Sequence, residues 1–479
     1  MGQTTIFEML YPTFKIDKEI KLITLFSGYD SQALSLRYLG VPFIHHKTCE
    51  WAVKSIQALK NLHFAEDNTD YSKDLNKAQL QEYLFSKGIS QNYNVPMTRE
   101  QINRLKEDNL RTIYNNIQAT HNLVNIQQVK GKDLEIEDTD KYCYIMTYSF
   151  PCQDLSLAGK GKGMSDTSTR SGMLWEVERI LTECKELGRL PQVLVMENVP
   201  LIHSVENTPD FNKWQLRLEE LGYKNYWQDM IATNYGIPQT RNRTFMVSIL
   251  GDYNYTFPKP IPLTLKLKDM LEDNVDEKYY LSDDLMQHIQ KTAEEHEEYT
   301  QYDRYNGDLE MWCRVWKDKS PTLNTKCKDT KIYVKNNTKK GYLEATDDDG
   351  IDLNMPRYDN RRGRVQKEAI QTLTTQNNLG VCVGTYQFAK SDNFMQGKDR
   401  LQLGKEVFDT IQTTQKEGIV NSDLRIRKLT PKECFRLMGV KDEDFEKVKK
   451  NQSDSSLYHL AGDSIVVNVL MAIFKEMSK

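Results

Sequence analysis

The sequence has no global excess of basic residues, no closely paired cysteines and no long apolar run. Its 479 residues carry a formal net charge of −4, so any surface that binds nucleic acid has to be local. The eight cysteines form no C-x-x-C pair, which argues against a zinc site and favours a reducing, cytosolic compartment. We find no apolar run near the roughly 18 residues of a membrane span and no signal-peptide pattern. These absences favour a cytoplasmic protein without a metal or a membrane anchor.

The N-terminal half alternates short apolar runs with helical patterns. The apolar runs that predict strands are residues 21–26, 42–50, 143–149, 192–198 and 244–250. Strands that alternate with helices predict an α/β domain with a Rossmann-like, doubly wound parallel sheet. Ligands of such sheets bind at the carboxyl ends of the strands. The residues at or just past these ends include Ser27, Gly28, Glu50, Cys152, Glu197 and Asn198.

The alternation is interrupted twice. Residues 66–122 carry a capping box at Thr98 and Gln101, followed by apolar residues at helical spacing, and they predict a helical insertion. From 252 to 423 helical periodicity fades, and a weak threonine-containing repeat appears at irregular intervals. Irregular spacing argues against a solenoid, so we expect a second, smaller β-rich domain over this range.

The expected second domain contains the local basic surface that the total charge conceals. Between Arg314 and Lys340 there are nine Lys or Arg residues against two Asp, and RYDNRRGR (357–364) adds a second cluster. Such a cluster is either a solvated face or a surface for phosphates. Residues 424–479 then return to helical patterns, and their apolar positions predict packing against the first domain, 1–251.

Cys152 follows an apolar run in the loop Ser-Phe-Pro-Cys-Gln. A free cysteine is most often a buried apolar residue, but a loop at a strand end suits a reactive thiolate better. Glu197, at the end of a neighbouring predicted strand, adds a carboxylate that apolar surroundings would convert into a general acid. The residue types are therefore those of nucleophilic catalysis assisted by an acid.

QTRNR (239–243) places Gln239, Arg241 and Arg243 at alternate positions, which face one way in an extended chain. Two guanidiniums on one face suit a phosphate or a carbonyl oxygen. Taken alone, the trio is more often a charged edge strand. Phe26-Ser27-Gly28 and Glu50-Trp51 are likewise weak nucleotide-binding signals by themselves, because the full G-x-G-x-x-G is absent.

Together, the motifs and their order resemble the DNA (cytosine-5)-methyltransferases. The matching segments are FSG (26–28), EW (50–51), HNLVNIQQV (121–129), SFPCQDLS (149–156), GMLWEVERI (172–180), ENV (197–199), QTRNR (239–243), RKLTPKECFRLMG (427–439) and AGDSIVVNVL (461–470). Three positions depart from the usual pattern, with Asn125 in place of aspartate, Asp463 in place of asparagine and Ile465 in place of valine. The resemblance covers about 21–250 and 424–479.

The resemblance implies a set of site residues. For the co-substrate S-adenosylmethionine it implies Phe26, Ser27, Gly28, Glu50, Trp51, Asn125, Ile126, Pro151, Leu174, Asp463, Ser464 and Ile465. For the target base and its DNA it implies Gln153, Ser156, Asn198 and Gln239. The catalytic residues it implies are Cys152, Glu197, Arg241 and Arg243. No metal is expected.

The resemblance also implies a mechanism and a partner. Cys152 is expected to add to C6 of a cytosine flipped out of double-stranded DNA, which activates C5 for methylation. Glu197 is expected at N3, and the two arginines at O2 and the neighbouring phosphate. The glycine- and lysine-rich loop 157–166 is expected to be mobile and to close over DNA. We expect a monomeric, cytoplasmic, bacterial or phage-encoded enzyme, with a restriction endonuclease acting on the same site as an optional partner.

Three other functions remain open on the sequence. An RNA cytosine-5 methyltransferase of the tRNA-methylating branch is disfavoured because its Cys-Phe-Thr tripeptide is absent. A catalytically inactive DNA-binding paralogue is disfavoured by the intact Cys, Glu and Arg set. A thiol-dependent Rossmann enzyme acting on a small metabolite leaves the basic β-rich region unexplained.

Overall fold

The fold is known from a computed structural model. It describes residues 11–151, 171–280, 332–335, 342–345, 349–352, 365–367, 369–373, 379–388 and 420–478. The chain forms two compact units. The first comprises Met1–Leu271, Thr372–Asn377 and Thr430–Lys479, and the second comprises Glu272–Gln371 and Asn378–Leu429.

A six-stranded sheet is the centre of the first unit. Its strands are β1 (Glu19–Leu25), β2 (Phe43–Cys49), β3 (Tyr142–Tyr148), β4 (Val193–Asn198), β5 (Tyr223–Ile231) and β6 (Asn242–Leu250). They lie in the order β2-β1-β3-β4-β6-β5. The pairings of β1 with β2 and β3, and of β3 with β4, are parallel, whereas β6 runs antiparallel to both β4 and β5. The Rossmann-like α/β fold is confirmed, although a purely parallel sheet was expected and β6 reverses its direction.

Burial explains the strand positions. Every residue of β4 is buried, as is all of β3 except its first residue, so these strands lie inside the sheet with both faces covered. The edge strand β5 is largely exposed along its middle. It was absent from the strands predicted by sequence because YKNYWQDMI is mostly polar and aromatic, without a continuous apolar run.

Helices cover the sheet and end the unit. Those of the first unit are α1 (Ser31–Leu39), α2 (Val53–His63), α3 (Lys77–Lys87), α4 (Arg99–Asn103), α5 (Glu107–Ala119), α6 (Leu174–Glu186), α7 (Thr208–Leu221), α8 (Pro431–Arg436), α9 (Asp442–Lys449), α10 (Asp454–Asp463) and α11 (Val467–Met477). Helix α11 packs against α1, and α9 packs against α2. The C-terminal segment therefore belongs to the same unit as the sheet.

The helical region between β2 and β3 has its own small core. Helices α3, α4 and α5 bury apolar side chains such as Leu84, Ile102 and Leu110, with Ile56 of α2 joining them. Thr98 and Gln101 form the reciprocal capping box at the start of α4 that the sequence predicts. Through Ile56, this small core joins the helical region to α2.

The first unit extends beyond residue 251, where the sequence places a domain boundary. Tyr255 donates its hydroxyl hydrogen to the carbonyl of Ile473 (3.4 Å), and Tyr235 donates to the carbonyl of Pro258 (3.0 Å). These contacts place the segment up to Leu271 with the first unit. At the C-terminal end of the second unit, the boundary with the first unit lies between Leu429 and Thr430, whereas the sequence places it after residue 423.

The second unit is β-rich where the structure describes it. A four-stranded sheet has the order β10-β9-β11-β12, and β7 pairs with β8. Their bounds are β7 (Ile332–Lys335), β8 (Tyr342–Ala345), β9 (Gly350–Asp352), β10 (Val365–Gln366), β11 (Leu379–Phe388) and β12 (Val420–Lys428). The predicted basic cluster 357–364 lies outside the described residues, as does most of the stretch from Arg314 to Lys340.

One stretch of the described residues, Asp454–Met477, is long and apolar enough by composition to cross a membrane. A run of this length was not expected from the sequence. About 61% of its most apolar window is buried inside the protein, and the stretch is two helices, α10 and α11, separated at Ser464–Val466. Burial of this kind is typical of core helices.

The packing of α7 on the sheet gives a prediction about stability. Trp214 is fully buried, donates its indole N–H to the hydroxyl of Tyr148 (3.2 Å) and meets that ring edge to face. Trp214→Ala should lower the free energy of unfolding by about 3–5 kcal/mol, because a large cavity remains. Leu216→Ala, on the exposed side of the same helix, should change it by less than about 0.5 kcal/mol. Urea unfolding measures both; equal losses would contradict the packing described.

Candidate active site

The loop after β1 turns sharply at the carboxyl end of the strand. Phe26 and Gly28 both have positive φ, 58° and 56°. Between them Ser27 is buried and accepts a hydrogen bond from the backbone N–H of Cys49 (3.1 Å), so the ends of β1 and β2 are joined. A Cβ on Gly28 would meet no atom within 4 Å. The loop therefore borders open space at Gly28. Glycine is favoured there by the positive φ of the backbone and not by a lack of room for a side chain.

Glu50, directly after β2, turns its carboxylate back to this loop. Its Oε2 accepts from the backbone N–H of Gly28 (2.9 Å) and its Oε1 from that of Ala52 (2.7 Å). Burial raises the pKa of Glu50 to about 7, and the negative charge of Asp463 adds to the increase. Glu50 and Asp463 are far apart in the chain but close in the fold.

Asn122 fixes the backbone of Glu50 from both sides. Its Oδ1 accepts from the N–H of Glu50 (3.0 Å) and its Nδ2 donates to the carbonyl of the same residue (2.9 Å). Oδ1 also accepts from the N–H of Val124, which has φ 70°, an unusual value for a β-branched residue. The sequence analysis did not single out Asn122, although it lies within the HNLVNIQQV segment.

Asn125 and Ile126 follow on the same loop. Asn125 is buried, and its Oδ1 accepts from the backbone N–H of Gln127 (3.1 Å), which starts a short 3₁₀ turn. Ile126 packs in the core with Leu174, the first residue of α6, which is fully buried. The amide oxygen of Asn125 keeps a second lone pair, so it can still accept one further hydrogen bond.

The turn between α10 and α11 carries the last group of predicted cofactor residues. Asp463 is exposed, and its Oδ2 lies 3.0 Å from Nδ1 of His459, an ion pair when that imidazole is protonated. The carbonyl of Ser464 accepts a hydrogen bond from Arg241 (2.7 Å), and Ile465 is buried. Trp51, next to Glu50, packs against the core of the helical region instead of standing free at the surface.

Glu197 lies at the end of β4 between two donors. It is 5% exposed; Oε2 accepts from the hydroxyl of Ser149 (2.5 Å), and Oε1 lies 3.1 Å from Nε of Arg243. The Arg243 contact has the distance of an ion pair, but its angle is not that of a hydrogen bond. Ser149 lies in the SFPCQ segment, yet the sequence analysis assigned it no role. The structure therefore brings together Glu197, Arg243 and the segment that leads to Cys152.

Asn198 supports the same segment. Its Nδ2 donates to the carbonyl of Phe150 (3.1 Å), two residues before Cys152, and its Oδ1 accepts from the N–H of Val199 (2.8 Å). Pro151 is half-buried beside it. The predicted residues Cys152, Gln153 and Ser156, and the loop 157–166, lie outside the described residues.

Gln239 and Arg241 are buried and contact main-chain atoms. Gln239 donates to the carbonyl of Leu437 (2.6 Å) and accepts from the N–H of Leu373 (3.2 Å). Arg241 donates to the carbonyls of Leu373 (3.2 Å) and Ser464 (2.7 Å). These contacts connect three distant parts of the chain. The direct substrate roles of both residues stay predictions.

No group of three or more His, Cys, Asp or Glu residues that could hold a metal occurs among the described residues. The polar residues at the carboxyl ends of β1, β2 and β4 form one rim with two carboxylates in different surroundings. Glu50 is bonded by backbone amides, whereas Glu197 faces a guanidinium and a hydroxyl. Such a rim is where α/β sheets of this kind bind nucleotides and carry out chemistry.

The fold is similar to those of two solved methyltransferases. A methyltransferase of Entamoeba histolytica aligns with a TM-score of 0.50 and 13% identity, covering 96% of this chain and 98% of that one. The Dnmt2 methyltransferase of S. pombe aligns with a TM-score of 0.50 and 14% identity, covering 95% and 97%. At these identities the likeness concerns the fold alone.

Sequence comparison identifies the family. The model of C-5 cytosine-specific DNA methylases matches residues 93–479. The type II methyltransferase M2.ScrFI of Lactococcus lactis subsp. cremoris is 28% identical over 474 residues, 96% of this chain and 99% of the relative. The orphan methyltransferase M.SssI of Spiroplasma monobiae is 34% identical over 267 residues, 55% and 68%. The chain belongs to the C-5 cytosine-specific DNA methylase family and is an enzyme of that class.

The protonation of Glu50 gives a prediction about stability and pH. Because its pKa is raised to about 7 in the folded protein, folding retains a proton that the unfolded chain releases nearer pH 4.5. Its contribution to stability is therefore present at low pH and falls as pH rises to 7. The free energy of unfolding of Glu50→Gln, minus that of the native chain, should increase by about 2 kcal/mol from pH 5 to pH 8.

Urea unfolding at the two pH values measures this difference. Taking the difference between proteins removes the titration of other groups, including His63, whose pKa burial lowers to about 3. Glu100→Gln, at an exposed position, should show no change with pH. A constant difference for Glu50→Gln would mean that Glu50 is ionised in the folded state across this range.

Proposed function

We propose that the chain transfers a methyl group from S-adenosylmethionine to C5 of a cytosine flipped out of a specific double-stranded DNA sequence, through a covalent bond between Cys152 and C6. The observation that carries the proposal is the group around Glu197. A buried carboxylate, an adjacent guanidinium and a serine hydroxyl lie where the chain leads into Cys152. This set suits a pyrimidine ring that a thiolate attacks.

The residues around Glu50 fit a nucleoside. Each carboxylate oxygen of Glu50 accepts one backbone N–H, which leaves lone pairs for two ribose hydroxyls. Asn125 offers its remaining lone pair to an amino group, and Gly28 borders open space. The bound S-adenosylmethionine would supply an electrophilic methyl group on a sulfonium. The carboxylate of Glu50 would orient the donor rather than react.

Cys152 and Glu197 would act on the base. Addition of the Cys152 thiolate to C6 forms an S–C6 bond and moves electron density towards C5 and N3. Glu197 donates a proton or hydrogen bond at N3, which stabilises the charge that develops there. C5 then attacks the methyl group, and S-adenosylhomocysteine leaves. Water takes the C5 proton, elimination breaks the S–C6 bond and restores the thiolate, and N3 returns its proton to Glu197. None of these steps is possible within a stacked duplex, so the base has to leave the helix.

The arginines would have different tasks. Arg243, beside Glu197, is placed to stabilise O2 of the ring and to orient the carboxylate. Arg241 is engaged with the carbonyls of Leu373 and Ser464, so its support for the site would be indirect unless DNA changes those contacts. Arg243 is therefore the first candidate for contacting O2 and the neighbouring phosphate, and Arg241 is the second.

The second unit is the proposed target-recognition domain. Its described part is β-rich, and the sequence over 314–364 is basic, which suits contacts with phosphates and base edges. We further propose a monomer that acts in the cytoplasm on double-stranded DNA. A restriction endonuclease that acts on the same site would be its partner in a host-protection role.

Methyl transfer tests the proposal directly. The native chain, incubated with labelled S-adenosylmethionine and duplex DNA, should place label on C5 of cytosine. Cys152→Ser should lower the rate by at least about a thousandfold, because the nucleophile is lost. Equal labelling by both proteins would exclude Cys152 as the nucleophile. Transfer to RNA alone would exclude the DNA substrate.

The hydrogen bond from Ser149 to Glu197 predicts a second kinetic effect. Ser149→Ala should lower kcat by roughly ten- to a hundredfold with little change in KM for DNA, because the carboxylate loses the donor that orients it. Ser149→Thr keeps a hydroxyl and should recover much of the rate. Thr147→Ala, two residues earlier in β3, should leave kcat within about twofold. A rise in KM alone would assign Ser149 to DNA binding instead.

A further inference from the structure

The loop between α3 and α4, residues 88–98, is joined to the chain directly after Glu50. The backbone N–H of Ser90 donates to the carbonyl of Trp51 (2.8 Å), and the N–H of Val53 donates to the carbonyl of Ser90 (2.9 Å). These bonds form a parallel bridge between Ala52 and Ser90. The helical region is therefore attached at the cofactor side of the sheet.

The loop reaches the expected nucleoside site at two points. At its start, Gly88 has φ 66°, and a Cβ there would lie 3.0 Å from Nδ2 of Asn125. Further on, Tyr93 stacks on the ring of His459 with centroids 3.6 Å apart and planes 14° from parallel. His459 in turn forms the ion pair with Asp463. One loop thus lies close to Asn125 at its start and contacts α10 through Tyr93.

Hydrogen bonds within the loop fix the position of Tyr93. Asn92 accepts hydrogen bonds at Oδ1 from the N–H of Asn94 (3.0 Å) and of Val95 (3.2 Å), and Ser90 donates its hydroxyl to the carbonyl of Val95 (2.7 Å). Tyr93 has φ 63° within this turn, a conformation that tyrosine rarely adopts. The surrounding hydrogen bonds impose that conformation and direct the ring inwards.

The hydroxyl of Tyr93 lies near both acidic residues of the cofactor side. Burial raises the pKa of Tyr93 to about 12, and the charges of Glu50 and Asp463 contribute to the increase. Tyr93 also interacts with the hydroxyls of Ser456 and Ser55. The stack on His459 and the hydrogen bonds of Ser90 to residues 51–53 bring the ring to the side of the sheet where Glu50 lies.

We propose that Tyr93 forms a wall of the methyl-donor pocket, so that the helical region between β2 and β3 completes that pocket. The proposal rests on the proposed use of S-adenosylmethionine. Tyr93 acts as a positioning residue: its ring, stacked on His459, restricts the space beside Glu50 and orders the nucleoside that Glu50 binds. The carboxylate of Asp463 lies beside His459, so the stacked pair adjoins the turn that follows α10.

Calorimetric binding of S-adenosylmethionine and of S-adenosylhomocysteine to the full chain tests this role. Tyr93→Ala should raise both dissociation constants by on the order of tenfold, the effect of losing one aromatic contact. Tyr93→Phe keeps the ring and should bind within about twofold of the native chain. Tyr71→Ala, at an exposed tyrosine of the same helical region, should bind like the native chain.

A kinetic measurement separates this role from a general loss of structure. Tyr93→Ala should raise KM for S-adenosylmethionine while kcat and the affinity for DNA stay within about twofold of native. If Tyr93→Ala does not fold, His459→Ala removes the stacking partner and should have the same effect, whereas His459→Phe should retain binding.

The outcomes distinguish the two proposals. If Tyr93→Ala and His459→Ala both bind the two compounds as tightly as the native chain does, Tyr93 does not have this role, and the proposed function still stands. Loss of kcat together with DNA affinity also overturns it, because that pattern indicates a structural role. A native chain that binds neither compound removes the proposed function and this inference together.

Discussion

The ion pair between Glu197 and Arg243 depends on the direction of one strand. In the sheet, β4 ends at Glu197 and Asn198, and the antiparallel β6 begins at Asn242 beside it. Because β6 runs opposite to its neighbour, its first residues lie at the carboxyl edge of the parallel strands. A parallel β6 would carry Arg243 to the far edge of the sheet, and Glu197 would be a buried carboxylate without a guanidinium. The reversal of β6 therefore brings Arg243 to Glu197, the pair that we propose to be catalytic.

The strands of this sheet and the parallel pairing of β1 to β4 were largely predictable, but the reversed direction of β6 was not. Runs such as 143–149 and 192–198 differ from β3 and β4 by only a residue at an end, because buried strands are continuous apolar segments. Local pattern carries no information on whether β6 lies parallel to β4. The edge strand β5 escaped prediction because one side faces solvent, so its sequence resembles a loop.

The residues of the candidate site also divide into those that the sequence predicted and those that it did not. The order of the motifs predicts Glu50, Glu197 and Arg243, because each follows or begins a strand. Ser149 and Asn122 could not be assigned roles in this way, since their partners Glu197 and Glu50 lie 48 and 72 residues away. For Arg241, alternation with Arg243 suggested a shared face. In the fold that guanidinium turns to the carbonyls of Leu373 and Ser464 and connects the end of the chain to the sheet.

The two carboxylates of the rim show how one sheet edge serves two chemical purposes. Glu50 is surrounded by neutral backbone amides, and burial together with Asp463 raises its pKa to about 7. Glu197 is buried and faces the charged Arg243 and the hydroxyl of Ser149. The surroundings of Glu50 suit its proposed task, which is only to accept hydrogen bonds from the methyl-donor molecule. The proposed task of Glu197 is to meet charge that develops on a ring, and for that task the guanidinium of Arg243 beside it is favourable.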